Sequence, residues 1–242
     1  RPCVPPETDL PGGPGGAGHA RPAPRLRSAA AERQPLAEAR AGAGDLQEPC
    51  PGRDPLILDD VRAVCAELEK ARIEFVVVGG ASLERTFPIG TGDIDVAVAL
   101  KDYPRVLETL RRHPRVRNVE DLGTMAGSEF RIGTRWVDVE FINPRPFAGN
   151  RPPDDFIDYV RRHRSERTDV ATFATPEVVW YMRLAIGDWE VYVQKILRDV
   201  RAGVPPSLLD KVLDIAKHFD VLEVLRPRVE QARKMIELAA RR

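Results

Sequence analysis

Asp93-Ile94-Asp95-Val96-Ala97-Val98 alternates acidic and apolar side chains, and Trp136-Val137-Asp138-Val139-Glu140-Phe141 repeats the pattern farther along. In an extended strand, side chains two apart share a face. Asp93 and Asp95 therefore project together while Ile94, Val96 and Val98 turn toward a core; Asp138 and Glu140 do the same against Val137, Val139 and Phe141. Side-by-side carboxylates are hard oxygen ligands. A sheet that brings the second pair beside the first would suit Mg²⁺, which favours carboxylate oxygens in octahedral geometry and keeps several waters. Upstream, Phe75-Val76-Val77-Val78-Gly79-Gly80-Ala81-Ser82 reads as a strand, a glycine turn and the start of a helix. Backbone N–H groups at such a turn meet an anion at the positive end of the helix with no Cβ in the way. Gly79, Gly80 and the Ser82 hydroxyl are the candidate phosphate contacts.

These parts suit a nucleoside triphosphate, whose α-phosphoryl group can move only if several negative charges are held and neutralised. Two Mg²⁺ ions do so by bridging phosphate oxygens, activating the attacking hydroxyl and stabilising the departing pyrophosphate. Asp93, Asp95 and Asp138 form the candidate ligand set. Glu140 is either a fourth ligand or a solvated, ion-paired neighbour of Asp138. A blander reading keeps Gly79-Gly80 as a plain turn and the acids as a solvated sheet face.

The elements that must position these residues follow from periodicity. A helix is expected from Leu58, capped by Asp59 or Asp60, with Val61, Val64, Cys65 and Leu68 facing inward. Strands are expected at Glu74 to Val78, Asp93 to Leu100, Val116 to Asp121, Glu129 to Ile132 and Arg135 to Ile142, with helices from Ala81 to Phe87 and Asp102 to Arg112. After a Pro-rich joint, Asn143 to Pro153, the pattern turns helical: Asp155 to Arg162, Pro176 to Ile186, Trp189 to Arg201, Ser207 to His218 and Val221 to Ala240. Ser207 is the expected cap of its helix. The chain thus divides into a tail (1–55), a sheet domain (56–150) and a helical subdomain (151–242). The tail is rich in Pro, Gly, Ala and Arg and is expected to be disordered, as an over-extended or truncated start or a flexible arm for a partner.

Lys+Arg and Asp+Glu both number 37, so no global basic footprint for nucleic acid or membrane exists. Contacts of that kind must be local. Arg111 to Arg117 and Arg161 to Arg164 are basic runs that could grip RNA phosphates or serve as solvated helix ends. Cys3, Cys50 and Cys65 make neither a C-x-x-C pair nor an even framework, which points to a reducing interior without a zinc site. No apolar run approaches the roughly 18 residues of a membrane span, so a cytoplasmic protein is expected. Trp180, Tyr181, Trp189 and Tyr192 could stack a nucleobase, although their helical spacing favours core packing. No G-x-x-x-x-G-K-[ST] segment or kinase signature is present.

The combination Val78-Gly79-Gly80, Asp93-Ile94-Asp95 and Val137-Asp138-Val139 resembles the nucleotidyltransferase superfamily, of DNA polymerase β type. In detail it is most similar to the minimal nucleotidyltransferases of bacteria and archaea and to the abortive-infection (AbiEii-type) enzymes of toxin–antitoxin systems, over roughly Leu58 to Ile142. The resemblance implies an α+β fold, a nucleotidyltransferase-type mixed sheet flanked by helices with a C-terminal helical subdomain, and a site in the cleft between them. It implies transfer of a nucleoside monophosphate from a nucleoside triphosphate to a hydroxyl of RNA, protein or a small molecule, with two Mg²⁺ ions on Asp93, Asp95 and Asp138. Asp138 would also help to deprotonate the acceptor, Gly79, Gly80 and Ser82 would hold the β and γ phosphates, and a cognate toxin or antitoxin partner is suggested. Such relatives often carry an arginine two residues before the threonine of Thr91-Gly92-Asp93-Ile94-Asp95; this chain has Ile89, with Arg85 the nearest substitute. They also place a lysine, and sometimes an aspartate, in the first helices after the sheet, for which Arg183, Lys195, Arg198 and Asp199 are candidates, Lys195 foremost as a nucleotide contact. A catalytically inactive module that binds a protein or RNA partner is the alternative.

Overall fold

Val61, Val64, Cys65 and Leu68 recur three and four residues apart, and in the computed structural model they form the buried stripe of helix α1 (Leu58–Lys70). The structure describes residues 58–123, 125–142, 153–185 and 189–241, apart from the side chains of 153–155, 189 and 190. The tail 1–55 and the joint up to residue 152 lie outside the described residues. The chain continues through β1 (Phe75–Val78), α2 (Gly79–Glu84), β2 (Asp93–Val98), α3 (Tyr103–Arg112), β3 (Val116–Asp121), β4 (Met125–Ile132) and β5 (Arg135–Ile142). Then come α4 (Pro153–His163), β6 (Ser165–Arg167), β7 (Thr172–Ala174), α5 (Pro176–Ala185), α6 (Trp189–Arg201), α7 (Leu208–His218) and α8 (Leu222–Ala240).

The fold is α+β. Seven strands form one mixed sheet in the order β3-β4-β5-β2-β1-β7-β6, with β2/β5 and β1/β7 parallel and the other neighbours antiparallel. Two differences from the sequence reading stand out. Strand β4 starts at Met125 instead of Glu129, because eight consecutive pairs with β5 outweigh the weak strand preference of Gly127 and Ser128. The segment after residue 150 also contributes strands: β7 lies parallel to β1 with Val77 opposite Phe173, and β6 pairs on its outer side. Three-residue strands carry too little periodicity to be seen in a sequence, and long-range pairing with β1 defines them.

Alternation along the strands divides the core between the two faces. Phe75, Val77, Ile94, Val96, Val98, Val137, Val139 and Phe141 pack with α1 and α3 on one side. Arg135 of β5 pairs with the buried Asp60 of α1 and pins that helix to the sheet. Val76, Val78, Ala97 and Ala99 face the other way and pack with α4 through α8, where Trp180, Tyr181, Phe156 and Phe219 fill the centre. The acids lie on this second face. Ser207 does stand immediately before α7, but its side chain makes no cap bond.

Candidate active site

The parallel register of β2 on β5 sets Asp93 opposite Asp138 and Asp95 opposite Glu140. Directly paired residues share a face and adjacent strands lie about 4.8 Å apart, so four carboxylates project together from neighbouring strands. All four are partly accessible, flanked by the fully buried Ile94, Val96, Val139 and Phe141 on the opposite face. Burial, followed by the charges of Asp93 and Glu140, pushes the Asp95 carboxyl from 3.8 up to about 8, with Lys195 and Arg183 opposing the rise. Glu140 thus belongs to Asp95 as much as to Asp138. Sequence alternation alone could not reveal this, because it depends on the register between two distant strands.

The two glycines have a structural reason that the sequence did not disclose. Gly79 has φ +62°, and a Cβ there would fall 1.6 Å from Asp95 Oδ2; a Cβ on Gly80 would fall 2.5 Å from Thr91 Oγ1. Thr91 is buried and donates its hydroxyl to Asp93 Oδ1 at 2.5 Å. The glycine pair therefore makes room for Asp95 and for the threonine that orients Asp93. The β1–α2 turn and the acidic strand are interlocked. Gly79 and Gly80 open α2, whose start has no side-chain cap. Ser82 is buried, and its hydroxyl donates to the Ala174 carbonyl of β7 at 2.5 Å.

Helices α5 and α6 supply the cationic side of the site. Arg183 and Asp199 are both buried and paired, and Trp180 Nε1 donates to the same Asp199 Oδ2 at 2.9 Å. Asp199 Oδ1 has no hydrogen-bond partner, with Arg198 Nη2 at 3.8 Å. Burial, then the charge of Arg198, lowers the Arg183 guanidinium to about 10, while Asp95, Tyr192 and Asp93 oppose the drop. That influence puts Arg183 within electrostatic reach of the acidic pair. Lys195 lies exposed on α6, its Nζ 5.2 Å from the centroid of the Tyr192 ring. The four candidates from α5 and α6 thus fall into a buried Arg183–Asp199 pair braced by Trp180, and two cations, Lys195 and Arg198, on the accessible rim.

Other sequence candidates lie elsewhere. Arg85 stacks 4.6 Å from the Phe173 ring and pairs with Glu166 at 3.0 Å. In the first basic run, Arg112 pairs with Glu108, Arg115 with Glu67 and Arg117 with Glu129; in the second, Arg161 pairs with Glu74 and Arg164 with Glu177. Trp180 and Tyr181 are core residues, and Cys65 is fully buried in α1. Among the described residues no helix is long and apolar enough to cross a membrane. Nor do three or more His, Cys, Asp or Glu side chains gather there as a metal-binding group. Mg²⁺ is commonly held by one or two carboxylates with waters and substrate phosphates completing the shell. The paired acids, with Asp95 crowded by the charges of Asp93 and Glu140, fit that mode of binding.

No family model and no curated protein matches this chain. Among solved structures, a protein of H. pylori proposed to be a nucleotidyltransferase is 11% identical, covers 75% of this chain and 96% of its own, and has a TM-score of 0.37. JHP933 from Helicobacter pylori is 12% identical, covers 76% of this chain and 93% of its own, and has a TM-score of 0.38. The likeness is one of coarse backbone course alone.

Proposed function

We propose that the chain is a Mg²⁺-dependent nucleotidyltransferase that moves a nucleoside monophosphate from a nucleoside triphosphate to a hydroxyl acceptor in the cytoplasm. One observation carries the reading: the β2–β5 register that sets Asp93 against Asp138 and Asp95 against Glu140, opposite the cations of α5 and α6. Asp93, Asp95 and Asp138 would hold two Mg²⁺ ions, which neutralise phosphate charge and lower the barrier to forming an alkoxide. Thr91 fixes the orientation of Asp93, and Gly79 leaves Asp95 room to stand beside it. The backbone N–H groups at the start of α2, those of Gly79, Gly80 and Ser82, are the proposed phosphate donors; the Ser82 hydroxyl is engaged by Ala174. Lys195 is suited to the β and γ phosphates because it is a flexible cation at the accessible edge.

In the reaction, the acceptor oxygen forms a bond to the α-phosphorus, the bond to the bridging α–β oxygen breaks, and pyrophosphate leaves. Asp138 is the proposed acceptor of the hydroxyl proton. The sequence resemblance suggests a toxin–antitoxin setting of AbiEii type, with a cognate partner, and RNA, protein or a small molecule as acceptor.

A second reading, a non-catalytic module of the same fold that binds a protein or RNA partner, draws support from the engaged Ser82 hydroxyl and from the lack of a three-ligand group among the described residues. Incubation with Mg²⁺, α-labelled nucleoside triphosphates and total cell extract separates the two. Transfer of label to RNA, protein or a small molecule that disappears in Asp95→Ala is the expected result. No transfer by the wild-type chain would leave the module.

A further inference from the structure

The helical layer contains a charged pair that packing does not call for. Arg183 of α5 and Asp199 of α6 are paired with each other at 7% and 0% exposure. Apolar side chains of like volume would fill that space at equal or lower cost, because two charges withdrawn from water recover little beyond their desolvation. Here the cost is higher still. Asp199 Oδ2 accepts from both Arg183 Nη1 and Trp180 Nε1, while Oδ1 accepts from no group. Among the described residues it is the only buried carboxylate oxygen left without a hydrogen-bond partner. An atom of that kind calls for a reason other than stability.

The place of Arg183 supplies the reason. Helix α5 packs on α2, whose first residue, Gly79, makes room for Asp95. From there the Arg183 guanidinium acts on the charges of Asp95 and Asp93. One guanidinium thus serves two sets of carboxylates, Asp199 by direct contact and the acidic pair at longer range. An arginine side chain is rich in rotamers, and fixing it costs entropy. Asp199 meets that cost within the folded chain, itself steadied by the Trp180 indole at 2.9 Å. The grip uses a single carboxylate oxygen. A fork-to-fork pair would commit the planar guanidinium to Asp199 on both sides, whereas a one-oxygen contact leaves N–H groups for a second anion. Arg198, 47% exposed with Nη2 3.8 Å from Oδ1, has no comparable restraint on the rim.

We propose that Asp199 is a positioning residue for nucleotidyl transfer, holding the Arg183 guanidinium at the acidic strands so that the donor triphosphate meets a fixed cation. This role rests on the nucleotidyl-transfer reading of the site. A triphosphate brought to these carboxylates carries negative charge that two Mg²⁺ ions do not cancel, and a cation already oriented needs no further ordering when it arrives. Asp199 touches neither nucleotide nor metal. It acts through Arg183 alone, with Trp180 holding the shared oxygen.

Calorimetry of the full chain with each Mg²⁺–nucleoside triphosphate, beside the denaturant midpoint of every variant, tests this. Arg183→Met and Asp199→Asn are each expected to weaken binding of the tightest nucleotide roughly tenfold, as loss of a charged hydrogen bond does. In the Arg183→Met background, Asp199→Leu is expected to weaken binding no further, and this double variant, an apolar pair, to remain as stable as the wild type. A purely structural pair would move stability and affinity together. Wild-type affinity in Asp199→Asn or in the double variant overturns the proposal, and so does Asp199→Leu weakening binding as much without Arg183 as with it. Where a single variant fails to fold, the double variant decides. No binding of any nucleotide by the wild type removes the transfer reading itself, whereas wild-type binding that is indifferent to Asp199 removes this role alone.

Discussion

Asp95 concentrates the electrostatics of the site. It lies against a glycine that cannot carry a side chain, beside Glu140 on the next strand and two residues from Asp93. Burial and these neighbours raise its carboxyl from 3.8 to about 8, so the folded chain holds that proton more tightly than the unfolded chain does. Stability from this group is complete below the lower value and is lost as pH climbs through the upper one. In chelator, the melting temperature of the wild type is expected to fall between about pH 4 and about pH 8 more steeply than that of Asp95→Asn, which stays neutral throughout. Parallel slopes for the two proteins would contradict the charge crowding inferred here. The aspartates themselves were legible in the sequence, because alternation with Ile94 and Val96 fixes a shared face. Thr91 and Glu140 were not, since their roles depend on contacts with Gly80 and Asp95 that only the assembled turn and register create.

Strand β7 and helix α2 show how the elements lock together. The buried Ser82 hydroxyl bridges α2 to the Ala174 carbonyl, next to the parallel pairing of Val77 with Phe173. Ser82→Ala is expected to lower stability by about 1 kcal/mol, read from the denaturant midpoint, while MgATP affinity stays at the wild-type value. Lost affinity with unchanged stability would instead assign the hydroxyl to phosphate. Most elements could be read from the chain: β3, β5 and α6 fall on the expected boundaries, and α1, α3, α5, α7 and α8 within about a residue. Their apolar spacing is regular enough to define them locally. β6 and β7 are three residues each and exist through their partners, which is why the stretch after residue 150 read as helix alone.

Across the molecule, one sheet separates two cores with different duties. α1 and α3 seal one face and leave it chemically quiet, with Cys65 buried there and its thiol raised to about 12. The other face is covered by α4 through α8 only as far as the acids, so that Arg183 and Lys195 confront Asp95 from the helical side and Trp136 flanks Asp138 from the open side. The paired surface arginines explain why neither basic run forms an unneutralised patch, consistent with a chain whose charges balance. Asp93, Asp95 and Asp138 are proposed to take up a metal-bound nucleoside triphosphate together. Isothermal titration of the wild type and Asp93→Asn with each nucleoside triphosphate, with and without Mg²⁺, tests it directly. Heat of binding that requires Mg²⁺ and is lost in Asp93→Asn is expected for at least one nucleotide. Binding that persists unchanged in Asp93→Asn, or no Mg²⁺-dependent binding of any nucleotide by the wild type, would contradict it.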